Sequence, residues 1–142
     1  TVSTNASEGN VMVCLETDFL IDLLRSRPAA LHKLEQLTRD EERLVVTPIS
    51  ATELFECGAA DQRHSEMESV ERILHALHLL DFDILAAKKA GELLGDLSRK
   101  GQKIGDMDTI TAGIALRHEQ TTLITKNRKH FEKIPNLKIE EW

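Results

Sequence analysis

The chain has 142 residues, a length that suits one domain with its own hydrophobic core and is too short for two. Hydrophobic residues make up 41% and charged residues 30%, an ordinary balance for a globular domain, and no apolar stretch has the length needed to span a bilayer. The net charge of −6 argues against a protein that coats nucleic acid with most of its surface. Residues 97–142, however, hold nine basic and six acidic side chains, so a polyanion can bind at one edge of the protein.

Residues 1–10 are small and polar, and they lack the basic-then-apolar layout of a signal peptide. We interpret them as a disordered leader or a remnant of cloning, and we assign a single domain to residues 11–142. Cys14 and Cys57 lie in apolar runs without a CxxC partner or a Cys/His partner at zinc spacing. This usage is typical of small core residues in a reducing compartment, so we expect a cytoplasmic protein with no membrane contact.

Strand patterns and helix patterns alternate along the chain. Val11–Leu15 predicts a strand buried on both faces, and a helix follows it, capped by Thr17 or Asp18 and ended near Pro28. The further predicted elements are helices over 29–39, 51–60, 65–78, 83–101 and 106–118, and strands over 44–47, 79–82, 121–125 and 137–139. Alternation of this kind predicts a three-layer α/β/α sandwich around a central, mostly parallel sheet of short strands.

Acidic residues stand at three junctions: Glu16 follows the first predicted strand, Glu53 lies at the start of the helix after the second, and Asp106 and Asp108 open the helix over 106–118. In such sheets, ligands bind beyond the carboxyl ends of the strands. Three of these acids also have a local explanation, because Ser50 and Glu53 match a capping box, Asp106 suits an N-cap, and Asp108 suits the first turn of a helix. Glu16 has no such explanation, since a buried glutamate normally needs a partner and no lysine or arginine lies near it in sequence.

Carboxylates that converge at one edge repel each other. Two charges about 5 Å apart cost roughly 3 kcal/mol at an effective dielectric near 20, and three such pairs cost on the order of 10 kcal/mol, comparable with the stability of a domain. A divalent cation relieves this repulsion, and a ligand set of oxygen atoms alone indicates Mg²⁺ or Mn²⁺ rather than zinc. Such an ion activates water for phosphodiester hydrolysis.

Five stretches of the chain carry a resemblance to a known family: L-E-T-D-F-L-I-D-L-L, S-A-T-E-L, G-D-M-D-T-I-T-A-G-I-A, T-L-I-T-K-N-R-K-H-F and the closing I-E-E-W. In this order and spacing they resemble the PIN domain, most closely the VapC-type toxins of toxin–antitoxin pairs, over about residues 11–142. The resemblance implies an α/β/α fold with a parallel sheet and a Mg²⁺- or Mn²⁺-dependent ribonuclease. It also implies a homodimer and a cognate VapB-like antitoxin whose tail fills the active-site groove.

The resemblance also implies roles for particular residues. By motif match, Glu16, Glu53 and Asp108 take the three acidic positions of the family, and Asp106 is an additional acid beside the third. We expect these four carboxylates to hold the metal or its waters. Asn127 takes the fourth position, where the family has Asp or Asn, and is expected to hydrogen-bond a metal-bound water.

Hydroxyls and cations complete the expected site. Thr17 or Thr125 is expected to orient a carboxylate or to touch the scissile phosphate. Lys126, Arg128 and Lys129 follow a predicted strand directly, where RNA phosphates would pass. Arg99, Lys100 and Lys103 are expected to extend this basic rim. Because no aromatic residue interleaves with these charges, we expect a structured RNA recognised by its shape rather than by base stacking.

Two residues depart from the family's pattern. The first acid is usually aspartate in an L-D-T context, and here it is Glu16, whose extra methylene moves the carboxylate by more than about an ångström. Because Mg²⁺ demands near-ideal octahedral geometry, this departure predicts an attenuated nuclease, either a natural variant or a deliberate substitution. The second departure is His130, where relatives commonly carry an acid; we interpret it as a surface histidine.

Two other functions remain open at this point. One is a catalytically impaired PIN domain that binds RNA or antitoxin without cutting. The other is a small-molecule phosphatase or nucleotide-binding α/β domain, disfavoured because no Gly-rich phosphate loop follows the first strand. For the partner, Phe19, Leu20, Leu23 and Leu24 exceed what one core face needs, so we expect an antitoxin helix to dock there or against the helix over 65–78.

Overall fold

The structure is a computed structural model, and it describes residues 11–62, 64–118 and 120–142. The expectation for residues 1–10 lies outside these ranges. Across the described residues, no helix combines the length and the apolar character that a membrane crossing requires.

Five strands and seven helices alternate along the described chain. They are β1 (Met12–Leu15), α1 (Thr17–Leu24), α2 (Pro28–Arg39), β2 (Arg43–Val46), α3 (Pro48–Ala60), α4 (Ser65–His75), β3 (His78–Leu79), α5 (Ile84–Arg99), α6 (Asp106–Leu116), β4 (Thr121–Ile124), α7 (Arg128–Phe131) and β5 (Lys138–Glu140). The strands form one sheet in the order β3-β2-β1-β4-β5, and each neighbouring pair is parallel. Strand β1 is therefore central, and its carboxyl end lies between the ends of β2 and β4.

Alternate side chains of β1 supply the two halves of the hydrophobic core. Cys14 packs with buried residues of α5, α6 and α7 on one face of the sheet. Val13 and Leu15 pack with residues of α1, α2, α3 and α4 on the other face. Helices thus cover both faces of a parallel sheet, and the predicted three-layer α/β/α sandwich is confirmed.

The starts of α1 and α6 differ from the prediction. Glu16, rather than Thr17 or Asp18, is the N-cap of α1, and its long side chain reaches the Asp18 N–H at 3.4 Å. Gly105, rather than Asp106, precedes the first turn of α6. The acid that ends β1 therefore lies at the positive end of α1, where a carboxylate is favoured.

The start of α3 is also different, and the predicted capping box is wrong. The helix begins at Pro48, with Thr47 as its N-cap and the Thr47 hydroxyl accepting the Ser50 N–H at 3.2 Å. Proline is well suited to the first helical position because its missing N–H has no helical partner there, so it starts this helix rather than interrupting the chain. Ser50 and Glu53 are thereby released from capping and contact Thr17 instead.

Helix α5 follows its prediction closely, whereas α4 is shorter than expected. The Asp83 carboxylate caps α5 by accepting the Ala86 N–H at 2.9 Å, and Gly101 follows the helix with φ +65°. Helix α4 ends at His75, so the predicted helix over 65–78 is too long, and β3 begins within it.

Close packing of α5 on α6 sets the position of the acid-bearing first turn of α6. A Cβ built on Gly113 would lie 2.6 Å from the Cα of Ala90 and 2.7 Å from its Cβ. Any side chain at this position requires the two helices to separate, so glycine permits the approach that places Asp108 at the edge of the sheet.

Candidate active site

Polar side chains gather where β1 and β4 end. Glu16 directly follows β1, and Thr125 directly follows β4. The Glu16 N–H donates to the Ile124 carbonyl at 3.1 Å, so the ladder between the two strands extends to the site itself. Because parallel neighbours end at the same edge, the two junctions lie side by side.

Glu16 is the buried carboxylate of this edge, with 7% of the residue exposed. Its Oε2 accepts the Asp18 N–H at 3.4 Å and lies 3.3 Å from the Thr125 hydroxyl oxygen. Burial raises the pKa of Glu16 to about 8, helped by the neighbouring Asp18 carboxyl and by the charge of Asp108. The surroundings therefore disfavour the charged form of Glu16, and a bound cation would favour it.

Asp18 is a site residue that the sequence suggested only as a helix cap. Its Oδ2 accepts the Lys126 N–H at 2.8 Å, and its Oδ1 accepts the Phe19 N–H at 2.8 Å. The Thr125 hydroxyl lies 3.2 Å from Asp18 Oδ2, and its single proton can go either to Asp18 or to Glu16. Asp18 thus ties the start of α1 to the turn after β4. The sequence signal for this role is the second acid in L-E-T-D, two positions after Glu16.

Glu53 joins the site through hydroxyl groups. The buried Thr17 hydroxyl donates to Glu53 Oε1 at 2.6 Å, and its oxygen lies 3.0 Å from the hydroxyl of buried Ser50. Because a hydroxyl has a single proton, Ser50 donates to Thr17 while Thr17 donates to Glu53. Glu53, on the neighbouring helix α3, is therefore hydrogen-bonded to the residue that follows Glu16 in the chain.

Asp108 is held by two side chains from the turn and helix after β4. Its Oδ2 accepts from Asn127 Nδ2 at 3.2 Å and lies 2.8 Å from His130 Nδ1. If His130 Nδ1 carries the proton, Asp108 Oδ2 accepts hydrogen bonds from both His130 and Asn127. Asn127 Nδ2 and His130 Nδ1 then lie 3.0 Å apart because both donate to the same oxygen. His130 is partly exposed, as expected of a surface histidine, but its contact with Asp108 was not predicted.

Thr125 and Asn127 are linked within the same turn. The Thr125 hydroxyl oxygen accepts the Asn127 N–H at 3.0 Å, so the turn that carries Asn127 is fixed to the residue ending β4. Hydrogen-bonding distances thus connect Glu16 to Thr125, Thr125 to Asn127 and Asn127 to Asp108, which come from three segments of the chain. Asp106 is different, because it is exposed and no hydrogen bond or ion pair in the described ranges joins it to the other acids.

The basic residues after β4 are exposed, but two of them contact the C-terminal residues. Arg128 Nε lies 3.6 Å from Glu141 Oε1, and the Lys126 ammonium lies 4.6 Å from the centre of the Trp142 ring. No aromatic residue interleaves with these charges in the sequence, but the fold places the Trp142 ring beside Lys126. Trp142 is separated from them along the chain, and only the fold brings it there.

Comparison with known proteins identifies the family of the chain. A family model described as the PIN domain matches residues 13–137. The chain belongs to the PIN domain family. The "tRNA(fMet)-specific endonuclease VapC" of Salmonella typhimurium is 30% identical over 131 residues, covering 90% of this chain and 96% of that protein. "Ribonuclease VapC2" of Rickettsia felis is 27% identical over 129 residues, with the same coverage.

Solved structures give the same result for this PIN domain. DNA-bound VapBC from Salmonella typhimurium has a TM-score of 0.84 at 28% identity, covering 93% of this chain and 98% of that chain. VapBC2 from Rickettsia felis, bound to a DNA fragment from the promoter, has a TM-score of 0.83 at 28% identity, covering 92% and 98%. The expected fold and the resemblance to VapC proteins are confirmed.

The acidic edge of this PIN domain suits a hard cation by the chemistry of its donors. Among residues 11–62, 64–118 and 120–142, no three His, Cys, Asp or Glu side chains form a ready-made ligand set. Mg²⁺ does not require one, since it usually takes one or two carboxylates and completes its shell with water and substrate phosphate. The buried Glu16 and the half-buried Asp108 supply such oxygens.

Proposed function

We propose that this PIN domain is the toxin of a toxin–antitoxin pair, an endoribonuclease that depends on Mg²⁺ or Mn²⁺ and cuts a structured RNA. The observation that carries the proposal is the buried Glu16 carboxylate at the carboxyl edge of the sheet, close to Asp18 and Asp108. The names of the relatives support the reaction class. Because the Salmonella relative is named for tRNA(fMet), transfer RNA is the first substrate to test.

In this proposal Glu16 and Asp108 bind the cation directly, while Glu53 and Asp106 hold its waters from the rim. A bound cation lowers the pKa of a water and stabilises the phosphate oxygens during hydrolysis. The chain's own side chains orient the carboxylates and hydrogen-bond water at the site. Asn127 orients Asp108 by donating to its Oδ2 and also hydrogen-bonds water at the site.

Thr125 and the turn after it position both the acids and the RNA. The Thr125 hydroxyl lies within hydrogen-bonding distance of Glu16 and Asp18, so it orients the carboxylates of the β1 end. Lys126, Arg128 and Lys129 are exposed just beyond β4, where they contact backbone phosphates and fix the register of the RNA.

A catalytically impaired domain is the second candidate, and two observations favour it. Glu16 carries one methylene more than the aspartate usual at this position, and Asp108 Oδ2 is already in contact with His130 and Asn127. Both features weaken the direct binding of a cation whose geometry must be near ideal.

A cleavage assay separates the two candidates. Purified transfer RNAs are incubated with the wild type, Glu16→Asp and Asp108→Asn, each with Mg²⁺, Mn²⁺ or EDTA. We expect metal-dependent scission by the wild type, loss of about 100-fold or more in rate for Asp108→Asn, and faster scission by Glu16→Asp if the longer side chain attenuates the site.

Asp40→Asn is the matched control, because Asp40 is an exposed acid at the end of α2. Its rate should equal that of the wild type. Equal rates for Glu16→Asp and the wild type would remove the attenuation hypothesis. Absence of scission by every variant with either metal would leave the impaired domain as the better description.

An apolar groove on the α1 side of the sheet suits the antitoxin. Phe19 and Leu20 are fully buried in the chain's own core, so the predicted apolar excess on α1 is reduced to Leu23 and Leu24. A cavity of about 270 Å³ remains between α1, α2 and α4, lined mainly by Leu23, Leu34, Leu44, Ile73 and Leu77. We propose that apolar side chains of a VapB-like antitoxin fill this groove. Leu23→Glu should then abolish co-purification of the antitoxin without preventing metal-dependent cleavage.

The expected homodimer is a further part of the proposal. Large apolar side chains are exposed where β3 leads into α5: Leu79, Phe82, Ile84 and Leu85. A surface of this kind is typical of an interface, and a second copy is the occupant we propose. Sedimentation of Ile84→Lys should show a monomer where the wild type sediments as a dimer.

We also propose that the protein acts in the cytoplasm, where its unpaired Cys14 and Cys57 remain reduced.

A further inference from the structure

A cleft of about 550 Å³ lies between α2 and the C-terminal residues. Its lining includes the ring of Trp142 together with His32, Lys33, Gln36 and Glu141. We propose that this cleft binds a base of the RNA next to the cleavage site, by stacking the base on Trp142. The proposal rests on the ribonuclease function proposed above and adds a base-binding subsite to it.

Lys126 connects the acids to the cleft. Its backbone N–H donates to Asp18 Oδ2 at 2.8 Å, and its ammonium lies 4.6 Å from the centre of the Trp142 ring. The distance from the acidic edge to the tryptophan is therefore spanned by one lysine side chain. Lys126 is not part of the cleft lining, so the base of a nucleotide next to the scissile phosphate can meet the Trp142 ring from the cleft side.

Trp142 is held rigidly enough to serve as a stacking surface. Its Nε1 donates to Asp22 Oδ2 at 3.1 Å, and its ring meets Phe19 edge-on, with centroids 4.9 Å apart and planes at 71°. The side chain remains partly exposed and lines the cleft. A ring that is already fixed loses little freedom when a base stacks on it, which favours binding.

The charges of the cleft favour a base over a phosphate. The Lys33 ammonium is already 2.9 Å from Glu140, and Glu141 adds a carboxylate to the lining. The Lys33 charge is thus offset for a phosphate. The Glu141 carboxylate, whose Oε1 lies 3.6 Å from Arg128, can still accept a hydrogen bond from the amino group of a base, and Gln36 and His32 can pair with base edges. The volume falls in the range typical of small-molecule sites. We therefore expect cytosine, adenine or guanine to bind better than uracil.

The single tryptophan of the chain makes the test direct, because all tryptophan fluorescence comes from Trp142. Five-nucleotide RNAs of cytidine or uridine, and an abasic five-unit strand with the same phosphates, are titrated in EDTA. We expect saturable quenching by the cytidine strand at a concentration at least about tenfold lower than for the uridine strand, and no quenching by the abasic strand.

Two variants of α2 test the lining without disturbing the contacts of Trp142. The double variant His32→Ala/Gln36→Ala should weaken quenching by the cytidine strand about tenfold, within the range that hydrogen bonds to a base contribute. Glu35→Gln, on the same helix but outside the cleft, should bind as the wild type does. In cleavage assays with a cytidine-containing substrate, the double variant should raise KM and leave kcat unchanged.

The outcomes separate this proposal from the nuclease function. Equal quenching by all three strands would show phosphate binding and overturn the base subsite. If no strand quenches the fluorescence and the protein still cleaves RNA normally, the base subsite is overturned and the nuclease function stands. Quenching by the antitoxin but by no RNA strand would have the same meaning. Quenching by the cytidine strand in a protein that cuts no RNA would support base binding and contradict the nuclease function.

Discussion

At the scale of single residues, two buried threonine hydroxyls near β4 have opposite surroundings. The Thr125 hydroxyl contacts the carboxylates of Glu16 and Asp18 and accepts the Asn127 N–H. Within the described part of the chain, the buried Thr121 hydroxyl has no hydrogen-bond partner. The same substitution should therefore change stability in opposite directions at the two positions.

We expect Thr125→Val to lower the free energy of unfolding by about 1–3 kcal/mol, because it leaves the partly buried Asn127 N–H and a neighbouring carboxylate without their hydroxyl partner. Thr121→Val should leave the free energy of unfolding unchanged or raise it by up to about 1 kcal/mol, because it removes an unpaired buried hydroxyl. Urea unfolding followed by Trp142 fluorescence measures both. Thr125→Ser, which keeps the hydroxyl, should restore most of the loss; equal losses for Val and Ser would contradict this account.

The sequence predicted the types of the site residues better than their connections. Glu16 was recognisable because it stands between β1 and α1, and Asp108 because it lies in the acidic first turn of α6. The hydrogen bond between the Lys126 N–H and Asp18 joins residues 108 positions apart, and the hydrogen bond from Trp142 to Asp22 joins residues 120 positions apart. Such contacts depend on which strands become neighbours and on their register, and a hydrophobic pattern does not encode either one locally.

At the scale of helices, the contact between α5 and α6 depends on one glycine. Gly113→Ala should lower the free energy of unfolding by about 1–3 kcal/mol, because the new methyl group overlaps the backbone of Ala90 and the helices must separate. Gly95→Ala is the matched control: its Cβ would meet nothing within 4 Å, so it should raise the free energy of unfolding by up to about 1 kcal/mol through helix propensity. Equal effects in urea unfolding would mean that the close approach is not a constraint.

The cap of α5 provides a test of pH dependence. The hydrogen bond from the Ala86 N–H lowers the pKa of Asp83, and the nearby Arg117 adds to this effect. Because the folded pKa is below the unfolded value, the charged cap stabilises the protein above the unfolded pKa of about 4, and this contribution is lost as the pH falls through the folded pKa.

The measurement is the Tm of the wild type and of Asp83→Ser between pH 6 and pH 2.5. Serine keeps a capping oxygen but does not titrate, so other groups cancel in the difference between the two proteins. We expect the wild type to have the higher Tm at pH 6 and its advantage to shrink below pH 4. A difference in Tm that stays constant over the whole range would show that the carboxylate charge does not stabilise the helix.

Helix boundaries were predictable where a capping residue acts alone. Asp83 and Gly101 mark the ends of α5 in the sequence and in the structure. At α3, by contrast, Thr47 and Ser50 are both good caps, and the proline between them is compatible with either a turn or a first helical residue. Packing of Ser50 and Glu53 against α1 decides between them, and that tertiary contact is not visible in the local pattern.

At the scale of the whole molecule, the C-terminal residues join elements that are distant in the chain. Glu140 pairs with Lys33 of α2, Glu141 lies near Arg128 of α7, and Trp142 contacts α1. Alternation of strands and helices was enough to predict the three layers. It does not predict which helices the last residues touch, and the cleft beside Trp142 is for that reason a property of the assembled fold alone.

The two cysteines allow global unfolding to be distinguished from local opening. Cys14 is fully buried in β1, and burial together with the charge of Glu16 raises its pKa to about 12. Cys57 is partly exposed on α3. At pH 8, iodoacetamide should label Cys57 first and label Cys14 only through unfolding of the central sheet, slower by about 1,000-fold or more for a domain of ordinary stability.

Peptide mass spectrometry over a time course measures the two rates separately. In denaturing urea both cysteines should react at similar rates, which controls for intrinsic reactivity. A destabilised variant such as Gly113→Ala should label Cys14 faster by the factor that its loss of stability predicts, about tenfold for each 1.4 kcal/mol, because labelling then follows the population of the unfolded state. If Cys14 in the folded protein reacts as fast as Cys57, or if its rate is the same in Gly113→Ala as in the wild type, β1 opens locally and the central sheet is not the most stable unit of the fold.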